Sequence, residues 1–80
     1  MKTHALVVEF PEYIEVINEL RRSDMWFAEK AKEYHQLDHK IVALEERDVP
    51  ISDALFMALK SRRVHLKDWL FEQIQYRARH

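Results

Sequence analysis

Large apolar side chains recur every seven residues from Tyr13 through Leu20, Phe27 and Tyr34 to Ile41, with Val16, Leu37 and Leu44 at the companion positions of the same heptad. Seven residues are close to two turns of α-helix and do not fit the two-residue alternation of a half-buried strand. This stretch is therefore committed to helix, and its seam needs a second helix to cover it. The chain contains no glycine and only two prolines, which takes away the residues that sheets use in tight turns and leaves helices almost unpunctuated. The predicted fold class is all-α.

Two interruptions divide the chain. Ser23 and Asp24 are good N-cap residues placed just before Met25, Trp26 and Phe27. They predict a short first helix from about Pro11 to Arg22, a break or kink, and a long helix from Asp24 to about Arg47. Asp48-Val49-Pro50-Ile51-Ser52 is the one convincing turn, because proline disfavours helix in the residue before it and Ser52 is a strong cap. A last helix is expected from Asp53 to about Arg77, on a seam of Leu55, Leu59, Leu66, Trp69 or Leu70, and Ile74. The result is an antiparallel, coiled-coil-like hairpin with a short additional N-terminal helix. Pairing about residue 50 sets Leu37 near Arg63, Tyr34 near Leu66, and Ala31 near Trp69 and Leu70.

Eighty residues make one small domain. With no cysteine, neither disulfides nor a thiolate zinc site can reinforce its core. The first nine residues hold only the short apolar run Ala5 to Val8, far below a signal-peptide core or a membrane span, so a cytoplasmic protein without membrane contact is expected. The net charge of −1 hides a division. Residues 9 to 48 carry eleven acidic and six basic side chains, whereas residues 53 to 80 carry three acidic and six basic. Opposite signs on the two halves favour antiparallel folding, each exposed pair contributing little.

Four runs stand in a recognisable order: Phe10-Pro11-Glu12-Tyr13; Leu20 with Asp24 and Phe27; Leu37-Asp38-His39 with Ile41, Leu44 and Glu45; and Leu66-Lys67-Asp68. In that order and spacing the chain resembles the YdcH-like family of small bacterial proteins, a domain of unknown function built as short helical or coiled-coil chains. The resemblance implies the fold and no activity. It divides the chain into a tail over residues 1–9, with no family counterpart and no assigned role, and a single domain over residues 10–80. Two departures from the family pattern, a small Ala31 and a large Trp69, look like a volume-conserving exchange across the hairpin.

Candidate sites are few. His35 and His39 are spaced to hold a metal on one helix face. Both fall outside the seam with no assured third ligand, so they read as a solvated polar face and no metal or cofactor is expected. Arg62 and Arg63 interrupt the last seam at the level of Asp38, which suggests a cross-hairpin ion pair that fixes register. Together with Lys60, Lys67, Arg77 and Arg79 they form the alternative, a basic helix that serves a nucleic-acid-associated accessory protein, which the balanced total charge disfavours. Serines 23, 52 and 61 are assigned to caps or a helix surface, and no glycine-rich loop exists to cradle phosphate. Catalysis is not expected.

What remains is association. Met57, Val64 and Phe71 form a second apolar line on the far side of the last helix. The longer arm reaches past the end of that helix, setting His80 opposite Leu20 and leaving Phe10, Tyr13, Val16 and Ile17 uncovered. Either the first helix folds back over Val64 and Phe71, or two hairpins pair about a two-fold axis. The second arrangement is the expected one: a homodimer and protein-binding module, open to an unidentified protein partner, with Met57, Val64, Phe71, Tyr13, Ile17 and Trp26 as contact residues.

Overall fold

The computed structural model describes residues 5–48 and 50–80; the first four residues of the predicted tail, and Val49 in the predicted turn, lie outside them. Among the described residues the elements are α1 (Leu6–Glu9), a 3-10 turn (Pro11–Tyr13), α2 (Ile14–Ser23), α3 (Met25–Arg47) and α4 (Asp53–Arg79). The helix starts follow the capping chemistry of the sequence. Asp24 Oδ1 accepts from the Phe27 N–H at 3.1 Å, and Ser52 Oγ accepts from the Leu55 N–H at 3.1 Å; each satisfies a donor with no partner inside its helix. At its other end α3 stops on Asp48, which adopts the left-handed conformation (φ 51°, ψ 42°). Glycine is the usual residue there. Aspartate is one of the few others that tolerates it, at about 1 kcal/mol.

Helices α3 and α4 form the expected antiparallel hairpin. Its register is marked by Arg63 Nη1 on Asp38 Oδ1 at 2.9 Å and Arg62 Nη2 on Glu33 Oε2 at 2.6 Å. The N-terminal segment does not continue past the hairpin. It turns back at Asp24, the single non-helical residue between α2 and α3, and runs parallel to α4. Glu9 meets Lys67 at 3.4 Å, Phe10 stacks on Phe71 with centroids 4.4 Å apart, and Glu19 pairs with Arg77. The expected overhang, with Phe10, Tyr13, Val16 and Ile17 bare, is thus corrected: folding back covers an apolar face at no cost in partners, and the segment is long enough to do it. The first helix also starts later than expected, because Pro11 opens a 3-10 turn ahead of α2.

The molecule measures 45 × 22 × 17 Å, and its length is unevenly filled. At one end three helical layers enclose a core of Leu6, Ile17, Leu20, Phe27, Ala31, Tyr34, Leu66, Leu70 and Ile74. Trp69 packs against the same cluster that holds the fully buried Ala31, in keeping with the expected small-against-large level. At the other end α3 and α4 continue alone as a two-helix arm, where Ile41 and Val42 are buried. Leu6 belongs to the core and Glu9 to an ion pair, so residues 6–9 are part of the folded domain rather than a tail without a role.

Candidate interaction surface

The six residues expected to make contacts fall into two groups. Ile17 is fully buried in the chain's own core, and Tyr13 packs against that core. Phe71 is sandwiched by Phe10, stacked at 4.4 Å, and by Tyr13, edge-on at 6.1 Å. Of these three, Ile17 is internal, while Tyr13 and Phe71 are half-buried in contacts that the folded-back segment makes within the chain. Met57, Val64 and Trp26 remain accessible, 64%, 52% and 72% exposed. Met57 and Val64 lie on the same line of α4 as Phe71, two heptads and one heptad before it respectively. That line is covered where α1 and the 3-10 turn lie over it and bare along the arm, where Leu55 is also exposed. Trp26 sits with exposed Met25 at the opposite end, beside the α2–α3 joint.

The basic residues of α4 are largely engaged inside the molecule. Arg62, Arg63, Lys67 and Arg77 pair with Glu33, Asp38, Glu9 and Glu19, and the Lys60 ammonium lies 4.5 Å from the Phe56 ring centroid. A phosphate backbone would have to compete with these partners for the charge on that helix. The expected register pair proves to be between Arg63 and Asp38. Asp38 is 2% exposed, and a carboxylate that deep needs its cation. It stands close to Tyr34, whose hydroxyl is held well above its ordinary pKa by burial first, then by the Asp38 and Glu9 carboxylates, with Arg63 opposing.

His35 departs from the expected solvated face. It is half-buried, and its Nε2 accepts from the Leu6 N–H at 3.2 Å, which caps α1 from across the fold and requires the neutral ring with its proton on Nδ1. Burial lowers the His35 pKa, the Arg21 guanidinium and His39 lower it further, and Asp38 works in the other direction. With Nε2 used by Leu6, Nδ1 is the His35 nitrogen left for a metal, and ligation there would displace the proton it carries. Among the described residues no group of three or more histidine, cysteine or carboxylate side chains is placed to hold a metal ion. An open depression of about 640 Å³ lies along α2 and α3, lined by Arg21, Ala28, Lys32, His35, Gln36 and His39; the lining offers no carboxylate, hydroxyl or thiol. Ser52 and Ser23 are occupied by helix ends, the latter donating to the Glu19 carbonyl at 2.9 Å.

The cover over Phe71 is the fold-back alternative, reached through Phe10, whereas nothing in the sequence analysis anticipates the Leu6–His35 bond, although a signal for it exists. Leu6 stands seven residues before Tyr13, so the heptad pattern extends back into the predicted tail of residues 1–9. No helix among the described residues is long and apolar enough to cross a membrane.

Fold and surface together define a small all-α protein, a long helical hairpin with a third helical layer over one end. The model of a family of proteins of unknown function, DUF465, matches residues 27–74, and the chain belongs to that family. The match takes in most of α3 and α4 and agrees with the YdcH-like resemblance. Neither the curated proteins nor the solved structures yield a match.

Proposed function

We propose that this chain is a non-enzymatic, cytoplasmic helical module that works through helix-to-helix contacts and pairs with a second copy of itself along the two-helix arm. The observation that carries the reading is the half-covered line on α4. At Phe71 the line is partly covered by the Phe10 and Tyr13 rings and is half-buried; at Val64 and Met57 the same helix face is exposed. A face built to take a helix over part of its length takes one over the rest. The arm also carries both signs of charge: exposed Glu45 and Glu46 close α3, and Lys60 and Arg62 lie along α4, where a second copy's acids would share them with the Phe56 ring and Glu33. Two arms related by a two-fold axis bring acid toward base twice. No metal or cofactor takes part in this reading.

Sedimentation equilibrium at micromolar concentrations tests it. The unmodified chain is expected to sediment as a reversible dimer, and Val64→Glu, kept folded throughout and at the same micromolar concentrations, as a monomer with helicity kept, since Val64 is exposed and a charge there leaves the core alone. A strictly monomeric mass for the unmodified chain overturns the pairing.

A further inference from the structure

The joint between α2 and α3 points to a second way in which two copies meet. Asp24 is extended (φ −124°, ψ 107°) and is the single residue that separates the two helices. The helical hydrogen-bond ladder nearly runs through it. Asp24 N–H already donates to the Leu20 carbonyl at 2.8 Å, and Ala28 N–H to the Asp24 carbonyl at 3.0 Å. Both are spaced as in a continuous α-helix. Three more bonds, donated by Met25, Trp26 and Phe27, would fuse α2 and α3 into one helix. The Phe27 N–H meanwhile is held by the Asp24 side chain. The heptad also ignores the break: Tyr13, Leu20, Phe27, Tyr34 and Ile41 keep the spacing of one uninterrupted stripe across residues 23 and 24. A chain selected only to turn back at Asp24 has no need of that phase.

We propose that two copies of this chain exchange the segment from Leu6 to Ser23, each straightening at Asp24 and laying its α1–α2 on the α3–α4 hairpin of the other. The exchanged dimer keeps every contact of the three-helix end. Leu6, Ile17 and Leu20 enter the partner's core, Phe10 stacks on the partner's Phe71, and Glu9 meets the partner's Lys67. Straightening preserves the relative direction of the helices, because two continuous α2–α3 helices side by side about a two-fold axis run antiparallel, as α2 and α3 do within one chain. Short joints favour such exchange, and the cost is confined to the joint because the interface is the one already built. Both joints then lie near the axis, each carrying the exposed Met25 and Trp26. The exchange uses the opposite end of the molecule from the Met57–Val64 strip and does not depend on it.

The Glu9–Lys67 contact supplies the readout. Equal amounts of isotopically heavy and light full-length chain, both carrying Val64→Glu to remove pairing through the arm, are unfolded together and refolded at high concentration. The dimer fraction is isolated and treated with a zero-length carbodiimide that joins carboxylate to amine. Exchange predicts that about half of the Glu9–Lys67 linked peptides combine one heavy and one light partner, the fraction expected for random two-fold pairing. Asp24→Ala, which removes the cap from the joint in both copies and installs a strong helix former, is expected to raise the dimerisation constant roughly tenfold or more. Inserting Gly-Ser-Gly after Ser23 is expected to abolish the dimer. A dimer whose Glu9–Lys67 links are all heavy–heavy or light–light overturns the exchange, as does an Asp24→Ala chain that stays monomeric. Because the arm is already disabled in this background, either result leaves the arm pairing to be judged on its own.

Discussion

The two ends of the α3–α4 hairpin have nearly the same raw material and reach different states. At the three-helix end Phe27, Ala31, Tyr34, Leu70 and Ile74 are fully buried. Along the arm the same heptad spacing buries Ile41, yet Leu55 and Met57 on the facing helix stay 54% and 64% exposed. Pattern alone does not separate Leu55 from Leu66. The difference is the number of neighbours: a seam between two helices covers one narrow stripe, and a third layer converts adjoining positions into core. The Arg63–Asp38 pair stands near the boundary, close to the level at which α1 begins against His35. Below it the hairpin has only itself.

Truncating one side chain at each end gives the largest expected contrast. Phe27→Ala empties a fully buried site shared by three layers and should cost about 3–5 kcal/mol. Leu55→Ala, at a position already half in water, should stay within about 0.5 kcal/mol. Urea denaturation followed by circular dichroism measures both, and losses of equal size would break the distinction between the ends.

The boundary itself can be probed with two neighbouring arginines. Arg63→Met strips the cation from a carboxylate that is 2% exposed and should cost about 3 kcal/mol, because the charge left behind is buried. Arg62→Met breaks a pair whose members are 53% and 42% exposed, and about 0.5 kcal/mol is expected. If the two variants unfold at the same urea concentration, the boundary pair is no more than a surface contact.

Much of this contrast could be read from the residues, and what could not has a physical cause. The hairpin, its caps at Asp24 and Ser52, and the Arg63–Asp38 level follow from local chemistry and the period of seven, and they stand as expected. The direction taken after Asp24 does not follow, because a break and a reversal have the same capping signature and differ only in what the helix meets once it has turned. Phe71 shows the consequence: as a sequence position it matches Val64, and only the path of residues 6–13 leaves one half-buried and the other exposed. The role of Leu6 was hidden for a related reason. A four-residue helix has no stability of its own, so no local signal announces it and tertiary packing decides.

The smallest expected effect concerns the bond that ties this short helix down. His35 Nε2 can accept from the Leu6 N–H only while the ring is neutral, and burial, Arg21 and His39 all depress its pKa below the ordinary 6.5, against Asp38. A depressed histidine contributes stability that is fully present above its unfolded value and is lost as pH falls from about 6.5 toward the folded value. A protonated ring sets one N–H against another, so α1 should loosen while the fully buried α3–α4 contacts hold. Hydrogen exchange resolved to residues 6–13 reads the effect: protection, corrected for intrinsic exchange, should fall by up to about tenfold per pH unit below pH 6.5. His35→Gln separates the cause from general acid loosening, because an amide oxygen can accept from Leu6 at any pH in this range. In that variant the protection of α1 should be flat across the same window. If His35→Gln loses protection on acidification as steeply as the unmodified chain, the dependence lies elsewhere, and the hold of the third layer on the hairpin rests on Phe10, Phe71 and the buried Leu6 side chain without help from the imidazole.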